Sequence, residues 1–402
     1  MMPSRRTGVA AAALLAAALA ACSGAGAGPR VIAVTGPAYE VPAKAAGEAV
    51  TAIPQAPGRG ALVLEGGGRS DEEANRRIVA LAGVDPHLCL IDAVPAKPGG
   101  AAAEGPSQLY RKFDPYSGVR MHVLALGDAD VENPGIVAVL RSCNGYFFNG
   151  GDPQRFSDLF LEDGGDTAAL AAIRERFERD GAVVSGSSAG AMLAGSVTLC
   201  ECGATSSVAA LTKGELFQAP GFRLVEGVLV DAHFFTRGLL GRHLFALARN
   251  RIPVGVGIDE RTAVVVPGDD GWWEVIGEGR VAVIELPRAA TVENLGDFRF
   301  SLLSPGDRFD PLRRAFRIAA ARPLLARSAV PGATPVAIDG LFAARQIEAL
   351  LARLVDAQAA EAAGSAAGGA IRIRFHRADD TLVFGRGDDH TIIRLRVSIE
   401  RS

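Results

Sequence analysis

Short, almost wholly apolar runs that end in glycine and lead into helical patterns constrain this chain more than any other feature. Ala61–Leu64 runs into Gly66-Gly67-Gly68, Gly145–Asn149 into Gly150-Gly151, and Ala182–Ser185 into the turn Gly186–Gly190. Two further runs, Leu88–Ile91 and Val119–Leu126, read as strands of the same kind. Between them lie helical patterns: Asp71–Ala82 capped by Asp71 or Ser70, Pro134–Arg141, and Thr167–Arg179 capped by Asp166 and stopped by Gly181. Strands that are apolar on both faces and alternate with helices predict a parallel sheet covered on both sides. Ligands of such sheets gather at the carboxyl ends of the strands, where all three glycine-rich joins fall.

The chain outside this alternation reads differently. Trp272–Leu286 has an antiparallel strand pattern, Gly340–Ala363 reads as an Ala/Leu helix, and Gly364–Gly369 as a flexible linker. Ile371–Phe375 and Thr391–Ile399 alternate like a hairpin. At the other end, Arg5 and Arg6 precede an apolar run, Val9–Ala21, too short to span a bilayer but suited to a signal peptide. The run ends Leu19-Ala20-Ala21-Cys22, a pattern that resembles a bacterial lipoprotein processing box with Cys22 as the lipidated residue. The competing reading is a plain secretory signal with an incidental cysteine. The expected organisation is a signal peptide (1–21), a lipid anchor and tether (22–58), a catalytic domain (59–305) and a C-terminal accessory helix and hairpin region (306–402). The expected location is the bacterial cell envelope, facing the periplasm or the cell surface.

With 402 residues the chain is long for a single core, so one large domain with an appendage is expected. A formal net charge of −3 and the lack of a basic stripe argue against a nucleic-acid partner. Besides Cys22 there are Cys89, Cys143, Cys200 and Cys202. Cys200 and Cys202 stand too close to pair comfortably, and their spacing matches no zinc pattern. Buried thiols or one unassigned bridge are expected, with no metal.

Gly186-Ser187-Ser188-Ala189-Gly190 matches G-x-S-x-G between a strand and a helix. A nucleophile there occupies a tight corner that only small neighbours tolerate, and the N–H of the next residue, Ala189, can help hold an oxyanion. Such a serine needs a base, and the base an orienting acid. Of six histidines, His233 follows the apolar run Val228–Val230 to a strand end, whereas His243 lies in a helical pattern. Gly255-Val256-Gly257-Ile258 delivers two carboxylates, Asp259 and Glu260, to another strand end, and alternation alone does not choose between them.

These segments together resemble one family. Gly186–Ala191 is similar to the GTSAGA motif of cyanophycinase, the peptidase family that also includes the aspartyl dipeptidases. Asp231-Ala232-His233-Phe234-Phe235-Thr236-Arg237 with Arg242 resembles its histidine segment, and Gly257–Ala263 its acid segment. Phe147–Asp152 resembles the Gly-Gly-Asp-Gln loop beside the oxyanion site. The resemblance covers about 60–290. It implies a flavodoxin-like, class I glutamine-amidotransferase-type α/β fold with helices on both faces of the sheet. It further implies Ser188 as nucleophile, His233 as base and Glu260 as orienting acid, with Gly151, Asp152 and Ala189 at the oxyanion site. Gln154, Asp231, Arg237 and Arg242 would bind substrate, without cofactor. Partners would be a peptide or cyanophycin-like substrate, the membrane through the lipid, and a second copy in a homodimer.

The sequence departs from the family at Pro153, which displaces Gln154, at Ala232 where a glutamine is usual, and at Leu239 where a second arginine is common. These are positions of selectivity, not of the triad. Two other readings compete: an α/β-hydrolase esterase, whose order of serine, acid, histidine would make His376 or His390 the base, and a non-catalytic lipoprotein that binds an acidic or peptide ligand.

Overall fold

The computed structural model describes residues 32–35, 38–69, 71–93, 108–199, 207–268, 271–325, 334–387 and 389–402. The signal peptide, Cys22, Cys200 and Cys202 lie outside the described residues. No described helix is long and apolar enough to cross a membrane.

Five parallel strands form the centre of the larger sheet, in the spatial order Arg120–Leu126, His87–Ala93, Gly145–Phe148, Val183–Ser187, Leu62–Glu65. Alternate residues of each strand enter different cores. Val63, Leu88, Leu90, Val123 and Val183 pack with Ile78 and Val79 of helix Glu72–Leu81. Leu62, Leu64, Ile91, Leu124 and Val184 instead meet Ile136, Phe156, Leu170 and Phe177 from three other helices. This is an α/β fold of flavodoxin-like arrangement with helices on both faces, as the apolar strands require. Cys89 and Cys143, both fully buried, form a disulfide across one of these cores, which settles the unassigned bridge.

A second sheet holds the strand pair Val228–Ala232 and Val254–Ile258, which are parallel, then Val281–Glu285 and Phe298–Leu303. It continues without a break into the C-terminal region, where Phe298–Leu303 pairs with Asp389–Arg401, and that strand with Ile371–His376 and Leu382–Arg386. Helix Leu240–Asn250 and helix Gln346–Asp356 share the core of this sheet, with Leu244, Leu247, Leu350 and Leu354 fully buried. The expected boundary near residue 305 therefore falls inside one continuous sheet.

Local differences from the sequence reading have local causes. The expected helix over 340–363 is confined to Gln346–Asp356, because Gly340 (φ 70°) and Arg345 (φ 58°) both take left-handed conformations before it. The expected linker at 364–369 is corrected: Glu361–Ala366 is a strand paired with Ile371–His376. Its glycine serves packing, since a Cβ on Gly364 would come within 2.4 Å of the Leu341 side chain. Part of the expected tether, Ala38–Val41, adds an antiparallel strand to Arg120–Leu126. Thr167, not Asp166, caps helix Ala168–Arg179, while Asp166 accepts from Arg174 of that helix.

Candidate active site

Strand Val183–Ser187 ends where Ser188 takes φ 55° and ψ −117°, a conformation that costs a non-glycine residue free energy and that surrounding contacts must hold. Ser188 N–H donates to Glu65 O at 3.0 Å, and Ser188 O accepts from Ala191 N–H and Met192 N–H at 3.1 and 3.2 Å. The glycines of the motif are required by space. A Cβ on Gly186 would stand 2.4 Å from the Gly190 carbonyl carbon, and one on Gly190 only 2.1 Å from Phe148 O. The turn is thus wedged against the neighbouring strand, with the serine side chain directed outward.

His233 follows strand Val228–Ala232 and is itself left-handed, with φ 54°. Its N–H donates to Gly66 O at 2.9 Å, and the N–H of Phe234 to Ile258 O at 3.2 Å. Imidazole Nε2 lies 2.7 Å from Ser188 Oγ, and Nδ1 lies 2.7 Å from Glu260 Oε1. His233 is buried, while the Glu260 side chain keeps 29% of its accessibility. An imidazole that carries its proton on Nδ1, toward Glu260, can accept the serine proton at Nε2, an arrangement suited to general-base chemistry.

The two adjacent carboxylates take different tasks. Asp259 is fully buried and turns to the backbone, accepting from Phe235 N–H at 3.1 Å and Thr236 N–H at 2.8 Å. Glu260 is the one that meets the imidazole.

The loop Gly66–Gly68 leaves the space in which this line assembles. A Cβ on Gly67 would fall 2.4 Å from His233 Cε1 and 3.1 Å from Ser188 Cβ, and one on Gly68 2.8 Å from Glu260 Oε2. Gly150 also borders the serine, its notional Cβ being 3.4 Å from Ser188 Cβ. Among the described residues, none accepts a hydrogen bond from the backbone N–H of Gly67, Gly151 or Ala189.

Other residues singled out from sequence lie differently. The exposed Asp152 caps helix Pro153–Phe160, accepting from Gln154 N–H at 2.9 Å. Pro153 sits at the first helical position, where a missing N–H costs nothing. The Gln154 amide donates to Asp158 one turn on, at 2.6 Å. Asp231 and Arg242 are corrected as substrate contacts. Both are buried and bound to each other, Nη2 to Oδ1 at 2.6 Å and Nε to Oδ2 at 3.2 Å. Burial alone would raise the Asp231 carboxyl, but Arg242 and His243 outweigh it and hold the group below its ordinary value. Arg237 remains exposed, one turn past His233, with its N–H on His233 O at 2.9 Å.

The histidines of the esterase reading are engaged elsewhere. His376 Nδ1 pairs with Glu361 at 3.1 Å and His390 Nδ1 with Gly387 O at 2.6 Å. His87, His122 and Cys143 bring possible metal-ligand atoms within 4.8 Å of one another, yet their bonds are already made. Cys143 is in the disulfide, and the His87 nitrogens bond Ser142 O at 2.9 Å and His122 Nδ1 at 2.7 Å.

The sequence reading passed over Glu65 and Lys112, a nearly buried ion pair of 2.6 Å beside the nucleophile turn. Burial pushes the Glu65 carboxyl up, and the Lys112 charge pulls it back only in part. The available signal was an acid closing an otherwise apolar strand, Leu62-Val63-Leu64-Glu65.

An α/β fold carrying a serine, a histidine and a glutamate in line at the strand ends defines the class, a serine hydrolase. Comparison with known proteins narrows it. Residues 106–272 match the model of peptidase family S51. The cyanophycinase of Synechococcus elongatus is 30% identical over 268 residues, spanning 62% of this chain and 79% of that protein. The cyanophycinase of Nostoc sp. is 28% identical over 277 residues, 65% of this chain and 88% of that one. Among solved structures, a peptidase from an acI-B1 Actinobacterium is similar at 22% identity and a TM-score of 0.46, covering 64% of this chain and 98% of that one. The chain belongs to the cyanophycinase-like peptidase family S51, and it is a serine peptidase.

Proposed function

We propose that the chain hydrolyses aspartyl peptide bonds through an acyl-enzyme. His233 takes the proton of Ser188 as Oγ attacks the peptide carbonyl, and Glu260 holds the imidazolium. The oxyanion is received by backbone N–H groups around Gly151, Asp152 and Ala189. His233 then protonates the leaving amine, and water, deprotonated by the same imidazole, releases the acyl group. The observation that carries this reading is the pair of 2.7 Å contacts joining Ser188, His233 and Glu260.

Cyanophycin is the foremost substrate, with β-aspartyl-arginine as product, because the relatives cited are cyanophycinases. A groove of about 650 Å³ reaches Arg237, one turn past His233, although none of the triad residues lines it. Its lining includes Arg237 and Arg372, suited to carboxylates, and Asp339, suited to a guanidinium. The proposed setting is the bacterial cell envelope, with the chain exported, anchored through a lipid on Cys22 and paired as a homodimer. Radiolabelled palmitate entering wild type but not Cys22→Ser would support the anchor, and no incorporation in wild type would sink it.

Mass analysis of products from cyanophycin and from α- and β-aspartyl dipeptides tests the activity. Release of β-aspartyl-arginine from the polymer is expected. Glu260→Gln should retain the fold and lose about 10⁴-fold in kcat, as loss of the orienting carboxylate does in other triads. Cleavage of dipeptides but not polymer would move the substrate to free dipeptides. Wild-type activity in Ser188→Ala would end the serine mechanism.

A further inference from the structure

The turn that carries His233 is tied to the C-terminal region through one side chain. Asp259 Oδ1 accepts the N–H groups of Phe235 and Thr236, and Asp259 Oδ2 accepts from Arg345 Nη1 at 3.0 Å. Arg345 also donates its backbone N–H to Phe235 O at 2.8 Å. Its second terminal nitrogen donates to Glu348 Oε1 at 3.2 Å, so the guanidinium spans two carboxylates. Arg345 lies well beyond residues 106–272, the segment that matches the family model.

We infer that Arg345 is a positioning residue for the hydrolysis: it pins Asp259, and through it the backbone that presents His233 to Ser188. This inference rests on the reading of Ser188, His233 and Glu260 given above. The left-handed backbone of His233 persists only while its surroundings over-determine it. Four hydrogen bonds do so over the next three residues: Phe234 N–H to Ile258 O, Phe235 and Thr236 N–H to Asp259, and Arg345 N–H to Phe235 O. Asp259 is fully buried, and among the described residues Arg345 is the cation that pairs with its second oxygen. Without that cation the carboxylate must draw in water or swing outward, and the turn it holds moves with it. Glu260 is the next residue in the chain, so both partners of the imidazole contact shift together. A displacement near 1 Å at such a site costs about 10²-fold in rate. Arg345 is 54% exposed, so its truncation opens no core cavity.

Labelling of the full chain with a fluorophosphonate tests this, because it reads the nucleophilicity of Ser188 without a natural substrate. Arg345→Ala should lower the maximal labelling rate about 10–100-fold at temperatures where the variant remains folded, while the half-saturating probe concentration holds. Guanidinium chloride at low concentration should restore part of the rate. Arg353→Ala, which removes an exposed charge from the same helix, should label as wild type. Equal labelling of wild type and Arg345→Ala overturns the inference, as does a lowered melting temperature with an unchanged rate. If Arg345→Ala does not fold, Arg345→Gln decides, since an amide keeps most of the side chain and removes the charge that holds Asp259. Slowed labelling in that variant supports the role, and a wild-type rate overturns it. No labelling of wild type would remove the serine reading itself, and this inference with it.

Discussion

Ser188 Oγ and His233 Nε2 stand 2.7 Å apart because residue 67 has no side chain. Gly67 has φ 91°, and a Cβ there would lie 2.6 Å from the same imidazole nitrogen. The loop Gly66–Gly68 is therefore part of the machinery although it contributes no side-chain chemistry.

Gly67→Ala is expected to displace the imidazole while leaving the sheet intact. The left-handed backbone adds about 1–2 kcal/mol of strain for an alanine, and the misplaced base should lower kcat by about 10²-fold or more. Denaturant titration together with steady-state kinetics checks both parts. An active Gly67→Ala enzyme would mean that the loop moves freely away from His233.

The buried Asp231–Arg242 pair should behave as structure and not as a substrate grip. Arg242→Met leaves a fully buried carboxylate without its cation, which costs about 3–5 kcal/mol. Adding Asp231→Asn should recover part of that loss. Urea unfolding of the two single variants and the double variant measures the coupling. A changed KM with unaltered stability would restore the substrate role.

Two groups should tilt stability with pH in opposite directions. Burial lowers His87 to about 4, so the unfolded chain binds its proton first, and stability falls as pH drops from about 6.5 to about 4. Burial raises Glu348 to about 7, so the folded chain keeps a proton that the unfolded chain has lost, and stability falls as pH rises from about 4.5 to about 7. His87→Asn should remove the first slope and Glu348→Gln the second. Thermal unfolding at intervals from pH 4 to pH 8 reads each difference directly.

The disulfide closes 54 residues of chain between Cys89 and Cys143. Chain-entropy reasoning places its contribution at about 4 kcal/mol, with measured cases from about 0 to 5. A Cys89→Ala, Cys143→Ala double variant should lose about 2–4 kcal/mol in urea unfolding and keep its kcat, because neither sulfur touches Ser188 or His233. Loss of activity at temperatures where the variant remains folded would contradict that separation.

What the sequence by itself determined is local. Apolar runs ending in glycine dictate strands that turn sharply at their carboxyl ends, and the motif around Ser188 has the small residues that a left-handed corner demands. The strand before His233 delivers an imidazole to a strand end, but that strand belongs to the second sheet, so its meeting with Ser188 was left to the packing of the two sheets. The tertiary structure decided everything that depends on direction between distant segments. Asp259 and Glu260 are neighbours after one strand, and only the packing of Gly68 and the turn 235–236 assigns one to the imidazole and the other to the backbone. Arg242 reads as a substrate contact until Asp231 is placed beside it, and the glycines of 364–369 read as a linker until Leu341 packs over Gly364. Arg345 reaches Asp259 across 86 residues of sequence. Periodicity records which residues a strand buries; it carries no information about which remote group will stand opposite, because that is fixed by close packing of the whole fold.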